Sequence, residues 1–199
     1  MSLENILLGM LVEPASGYDL KTEFSEGARH FWSAELSQIY PTLKRMEQRG
    51  WLCSEVASSA KGPPRRVYRR TADGRKQLLE WLRSGPRMGT ERFAYLAQLC
   101  FMHELGDLER TLDFMIELRS RLADFLLLLK HAEAELTPAG EEFPESLSEA
   151  DFHGYLGIRM GIHSLTAKVA WCDEALERIR ERQSHKSSDQ QQGRHDRGR

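Results

Sequence analysis

Cysteine is scarce in this chain of 199 residues: Cys53, Cys100 and Cys172 stand far apart and outside any Cys-x-x-Cys or Cys/His ligand spacing. Neither a disulfide framework nor a zinc site is therefore expected. Long apolar runs are missing too, and the stretch Phe125 to Leu129 is far too short to cross a bilayer. The opening residues Met1-Ser2-Leu3-Glu4-Asn5 put no basic segment ahead of an apolar one, so no secretion signal is expected and a cytoplasmic protein is. The chain has no Gly-x-Ser-x-Gly, no phosphate-binding glycine loop, no His-Glu-x-x-His and no compact Asp/Glu/His constellation. An enzyme is thus not expected, nor a cofactor or a metal, since the seven histidines never pair at a ligand spacing.

What is present is ordinary in bulk and uneven in detail. Hydrophobic residues make up 40% and charged residues 29%, the mix of a soluble globular chain. The net charge of -2 hides a division. Residues 1–86 carry 13 Lys and Arg against 10 Asp and Glu, residues 87–183 carry 11 against 18, and residues 184–199 carry 4 against 2. A basic first part suits a polyanion and an acidic second part suits something else.

Periodicity divides the chain in the same way. Leu3, Ile6, Leu7, Met10 and Leu11 recur at helical spacing ahead of Pro14. A second short helix is expected from about Gly17 to Phe24, with Leu20 and Phe24 inward and Ser25-Glu26-Gly27 as its break. A third carries Leu36, Ile39, Tyr40, Leu43 and Met46 and closes at Gly50. Pro41 is tolerable in it only near the start, which Ser33 or Ser37 as N-cap would provide. From Gly50 the period shortens, and Trp51–Val56 and Arg65–Thr71 read as a hairpin with a Gly/Pro-stiffened basic tip. Thr71 then caps a helix with Leu78, Leu79 and Leu82 that stops before Gly85-Pro86. Helix, helix, helix, hairpin, helix is the winged-helix order.

Beyond Pro86 the chain reads as helix. Leu108, Met115, Leu122 and Leu129 are spaced by sevens in a long helix capped by Asp107. Thr137-Pro138-Ala139-Gly140 breaks it, and the acidic Glu141–Glu149 stretch connects to a last helix. There Ile158, Ile162, Leu165, Val169, Cys172, Leu176 and Ile179 alternate spacings of four and three, a heptad seam. Leu122, Leu129, Ile158, Ile162, Leu165, Val169, Leu176 and Ile179 are the candidate dimerisation residues. From Ser184 a disordered polar tail is expected. The fold class is mostly α with a small β-hairpin. It comprises an N-terminal winged helix-turn-helix domain over 1–86, a C-terminal α-helical dimerisation domain over 87–183, and the tail over 184–199.

The third helix suits a place in the major groove, because its face away from the apolar stripe offers Ser37, Gln38, Thr42, Lys44 and Arg45, able to read base edges or hold phosphates. Lys61, Arg65, Arg66, Arg69 and Arg70 crowd into ten residues with no acid among them. Of these, Lys61, Arg65 and Arg66 are the candidate phosphate contacts. Strand alternation puts Arg66, Tyr68 and Arg70 on one face and Arg65, Val67 and Arg69 on the other, so not every arginine can face DNA. Phe93, Tyr95, Phe101 and Trp171 could line a small-molecule pocket, although aromatic residues on amphipathic helices usually serve a core. A helical protein-interaction module without DNA binding is the alternative to a DNA-binding regulator.

Four short segments, Gly17-Tyr18-Asp19-Leu20, Ile39-Tyr40-Pro41-Thr42-Leu43, Gly50-Trp51-Leu52 and Tyr68-Arg69-Arg70-Thr71-Ala72-Asp73-Gly74, resemble in order and spacing the signature of PadR-like winged-helix regulators. The resemblance covers most of Met1 to Leu82. Trp171-Cys172-Asp173-Glu174-Ala175-Leu176 is similar to the C-terminal helical region of the larger PadR-like proteins and of related virulence-gene activators. It implies a bacterial homodimer on an inverted-repeat operator, usually a repressor, with Tyr40 near the DNA backbone. It also implies a response, in many members, to small hydrophobic aromatic or phenolic compounds.

Overall fold

The computed structural model of the chain describes residues 3–26, 36–57, 64–86, 89, 93–137 and 143–196, with side chains except at 24–26, 36 and 186–196. It forms two compact units, Met1–Thr90 and Glu91–Arg199. The N-cap candidate Ser33 and the wing-tip Lys61 lie outside the described residues, as does the side chain of Phe24. No helix among the described residues is long and apolar enough to cross a membrane.

The first unit opens with α1 (Leu3–Met10), β1 (Ala15–Ser16) and α2 (Gly17–Glu26), and a single 3-10 turn (Leu36–Gln38) leads into α3 (Ile39–Gln48). Strands β2 (Leu52–Ala57) and β3 (Arg65–Arg70) and helix α4 (Ala72–Arg83) complete it. The strands form an antiparallel sheet in the order β1-β3-β2, with Ala15 opposite Tyr68 and Val56 opposite Arg66. Leu7, Leu8, Leu11, Leu20, Ile39, Leu43, Met46, Leu52 and Tyr68 are buried together as the core.

Local chemistry explains the joints. Pro41 is the third residue of α3, within the first turn, where its missing N–H has no intrahelical acceptor to lose. The N-cap is Gln38 and not Ser37, and its side chain makes no capping bond. At the other end Gly50 takes φ 75°, its N–H donates to the Glu47 carbonyl at 2.9 Å and the Trp51 N–H to the Met46 carbonyl at 2.9 Å. This double bond pattern stops the helix and turns the chain into β2. Ser16 and Asp19 close the start of α2 reciprocally: the Asp19 N–H donates to Ser16 Oγ at 3.2 Å and the Ser16 N–H to Asp19 Oδ2 at 3.0 Å. The Ser16 hydroxyl also donates to Asp19 Oδ2, at 2.7 Å, and this bond first and the Ser16 N–H second hold the Asp19 carboxyl below its ordinary pKa.

Thr71 caps α4 as expected, accepting from the Gly74 N–H at 3.1 Å and donating its hydroxyl to the Gly50 carbonyl at 2.7 Å. The first turn of α4 thereby presses so close to the end of α3 that a Cβ on Gly74 would lie 2.1 Å from the Trp51 carbonyl oxygen. The Thr-x-x-Gly spacing is thus a cap and a close approach in one motif.

The second unit contains α5 (Ala94–Phe101), a 3-10 turn (Met102–Leu105), α6 (Leu108–Leu136) and α7 (Glu149–Asp196). Asp107 caps α6, accepting from the Glu109 N–H at 2.9 Å. Arg119 pairs with Asp173, Arg159 with Glu133 at 3.1 Å, and Leu129 faces Gly161, so α6 and α7 run antiparallel along each other. Met115, Cys172 and Leu176 are buried between them, with Leu112, Leu118, Leu122, Trp171 and Ile179 packed around.

Two expectations change here. The heptad residues Leu122, Leu129, Ile162, Leu176 and Ile179 lie within the chain, buried or packed at the α6–α7 seam, and Ile158, Leu165 and Val169 are half-buried. Consecutive apolar stripes joined by a short connection meet each other before they meet a second copy. The tail expected to be disordered from Ser184 is helical as far as Asp196, continuing α7. A helix already nucleated adds a residue for little cost, and Lys186, Gln190, Gln191, Gln192 and Arg194 are good helix formers.

Candidate nucleic-acid interface

Helix α3 buries Ile39, Thr42, Leu43 and Met46 and turns Tyr40, Lys44 and Arg45 outward, with Ser37 and Gln38 exposed in the turn before it. Thr42 corrects the sequence reading. At 1% exposure it belongs to the inner stripe, three residues after Ile39 and four before Met46, and it cannot reach a base. Its hydroxyl instead accepts from Arg45 Nη2 at 2.9 Å. Arg45 is also 3.9 Å from Glu4 of α1, while Arg49 donates to Glu4 at 3.0 Å. Arg45 therefore leans toward α1.

Tyr40 is half-exposed, at 51%, and one edge of its ring lies against the start of α2. A Cβ on Gly17 would stand 2.5 Å from Tyr40 Cε1, so only glycine leaves the ring its place. The next residue, Tyr18, is exposed, and the Arg65 guanidinium lies 5.6 Å from its ring centroid and 3.9 Å from Asp19 Oδ1. Gly17 and Tyr18 therefore bring the start of α3 and the base of the wing together. From the sequence alone these two residues had only a place in a motif.

The period-2 alternation of β3 sorts the wing arginines. Tyr68 is buried, and burial pushes its phenol pKa up. Arg70 on the same face donates to the Leu8 carbonyl at 2.7 Å. Arg66, also on this face, is held by Glu47 at 2.9 Å and by Ser54 at 2.7 Å. Arg65 and Arg69 point to the other face, Arg69 lying 3.8 Å from Glu55. Glu47 was missed because a lone acid on a helix carries no signal until the strand register is known.

The four aromatic residues expected to line a pocket do not converge. Phe93 and Tyr95 meet with centroids 5.4 Å apart, and Lys168 Nζ lies 4.6 Å from the Phe93 centroid. Phe101 is exposed. Trp171 alone of the four lines a cavity of the second unit, about 380 Å³ in volume, together with Leu99, Met115 and Ile179 and the polar Thr111, Glu174 and Arg178.

Comparison with known proteins fits this geometry. Residues 6–80 match the model of the transcriptional regulator PadR-like family, and residues 91–180 that of the virulence activator alpha C-terminal region. The negative transcriptional regulator PadR of Bacillus subtilis is 30% identical over 179 residues, which cover 89% of this chain and 97% of that protein. The crystal structure of Bacillus subtilis PadR in complex with operator DNA superimposes with a TM-score of 0.73 at 27% identity, covering 88% of this chain and 96% of that one. The structure of the same regulator in complex with p-coumaric acid gives 0.64 at 28% identity, over 89% and 94%. The chain belongs to the PadR-like family of transcriptional regulators, in the form that carries a virulence-activator type C-terminal region.

Proposed function

We propose that the protein is a homodimeric repressor that binds an inverted-repeat operator through α3 and the wing. The observation that carries this reading is the outward face of α3 and its leading turn, Ser37, Gln38, Tyr40 and Lys44, set beside Arg65 by the Gly17 and Tyr18 contacts. Gln38 offers both a donor and an acceptor to a base edge, while Tyr40, Lys44, Arg45, Arg65 and Lys61 hold the backbone. Thr42 and Arg66 support that surface from behind. Second-copy contact is assigned to apolar side chains that the α6–α7 seam leaves exposed, among them Ile116, Leu127, Leu128, Leu156 and Met160. Operator binding by a relative of this length and fold supports the reading. Footprinting on the DNA upstream of the protein's own gene tests it, with titrations at several salt concentrations. A DNA reader protects a two-fold site and loses affinity steeply with salt, whereas a protein-interaction module does neither.

A small aromatic or phenolic effector is the second element of the reading, favoured by the 380 Å³ cavity at Trp171 and by the p-coumaric acid complex of the relative. Adding p-coumaric acid to the protein–operator complex should release DNA, and a Trp171→Ala variant should need more of it. Release that is equal in the two proteins places the effector elsewhere.

A further inference from the structure

Arg66, Glu47 and Ser54 come from β3, α3 and β2 and close a ring of hydrogen bonds on the surface of the first unit. Arg66 Nη2 donates to both Glu47 carboxylate oxygens, at 2.9 and 3.1 Å, and Arg66 Nε to Ser54 Oγ at 2.7 Å. The Ser54 hydroxyl donates in turn to Glu47 Oε1 at 2.6 Å. The guanidinium also lies 5.8 Å from the Tyr68 ring centroid, over the buried face of the strand. A planar fork, a carboxylate and a hydroxyl joined in this way fix direction as well as distance, which a single lysine-type contact does not.

We propose that Arg66 is a positioning residue and not a phosphate ligand: with Glu47 and Ser54 it sets the angle between the wing and α3. The proposal rests on reading those two elements as the DNA-binding surface. Three observations carry it. The strand face that holds Arg66 is the one Tyr68 and Arg70 turn toward the helices. Both the Nε and the Nη2 of the guanidinium are already engaged. Glu47 is a carboxylate on the element meant to approach a polyanion, and there its charge is tolerable because Arg66 covers it. An ion pair as exposed as this one adds little to global stability, so its variants should fold.

The sign of the Glu47 effect separates the two roles. Glu47→Gln removes a negative charge, so on electrostatics alone it should tighten DNA binding. As a broken strut it should weaken it. The experiment measures binding of a duplex from the protein's own upstream region and of a random duplex, across a salt series, for wild type, R66A, R66K, E47Q and the R66A/E47Q double variant. Amide hydrogen exchange over residues 52–57 and 65–70 is followed in the DNA-free proteins. R66A and E47Q should each weaken binding by about threefold to tenfold with the salt slope of wild type, the double variant should be no worse than either, and R66K should not restore affinity. Hairpin amides should exchange faster in R66A and E47Q alike. A slope lowered by about one in R66A, rescue by R66K, or tighter binding by E47Q would overturn the proposal. Should wild type bind neither duplex, the DNA reading fails, and exchange alone decides: unchanged hairpin protection in both single variants refutes the strut.

Discussion

Gly17→Ala separates the placing of Tyr40 from the stability of the fold. The added methyl would lie 2.5 Å from Tyr40 Cε1 and 3.1 Å from Cδ1. A relaxed carbon–carbon contact is about 3.5–4.0 Å, so the ring edge must retreat by about 1 Å. It has solvent on its far side, and an off-rotamer displacement costs roughly 0.5–1.5 kcal/mol. Against that, Gly17 is not among the positive-φ glycines, and alanine in place of a helical glycine gains roughly 0.5–1 kcal/mol. The two effects nearly cancel, so the melting temperature should stay within about 5 °C of wild type. Affinity for operator DNA should nonetheless fall about threefold to tenfold per protomer, the value of one displaced hydrogen bond to a phosphate. Tyr40→Phe should reproduce the loss, and in a Tyr40→Ala background Gly17→Ala should change nothing further. Anisotropy titrations and thermal melts on the same preparations give both quantities. Wild-type affinity in Gly17→Ala would show that the ring's position does not matter to DNA, and a melting temperature lowered by more than about 10 °C would show that the ring cannot move cheaply.

Gly74→Ala should do the reverse, destabilising the first unit by about 2–3 kcal/mol in urea titrations, because its Cβ meets the rigid Trp51 carbonyl at 2.1 Å. Gln38→Ala should cost about 1–3 kcal/mol on the operator and little on random DNA, while Arg65→Ala should weaken both and lower the salt slope by about one. Equal losses from Gln38→Ala on the two duplexes would place Gln38 on the backbone. Asp19 is held below its ordinary pKa, so its contribution to stability is present above about pH 4 and is lost as pH falls through the folded value. Ser16→Ala should raise that pKa toward 3.8 and flatten the acid limb of stability, read by unfolding at a series of pH values and by carboxyl titration of Asp19.

Local signals in the sequence were strong where one residue type meets one backbone need. Gly50 and the caps Thr71 and Asp107 stand where their chemistry requires them, and the helical stripes of α1, α6 and α7 are found in place, whereas in α3 Ile39, Leu43 and Met46 are buried as expected and Tyr40, expected on the same stripe, turns outward. Strand β1 was not legible, since Ala15 and Ser16 have no pattern of their own and become a strand only through pairing with Tyr68 and Val67. Thr42 was misplaced for a different reason. Its polarity suggested an outward face, yet its spacing from Ile39 and Met46 is that of the buried stripe, and burial is tolerable because its hydroxyl accepts from Arg45.

The wing and the long helices show where reading by composition stops. A cluster of arginines records an attraction to negative charge without saying which negative charge, and here Arg66 meets Glu47, Arg65 nears Asp19, and Arg70 serves the Leu8 carbonyl. The alternation of β3 was legible; the partner across each face depended on how α3 crosses the sheet. The heptads pose the same problem in apolar form. A stripe repeating every three and four residues requires a partner helix but does not say whether that helix belongs to the same chain. The connection between α6 and α7 is short enough to fold one onto the other, and Gly161, with room only for the Leu129 side chain, marks the close approach. Once that hairpin forms, what it leaves outside is what a second copy can meet. In the proposed dimer the contacts are therefore to be sought among Ile116, Leu127, Leu128, Leu156 and Met160, off the seam that the period picks out.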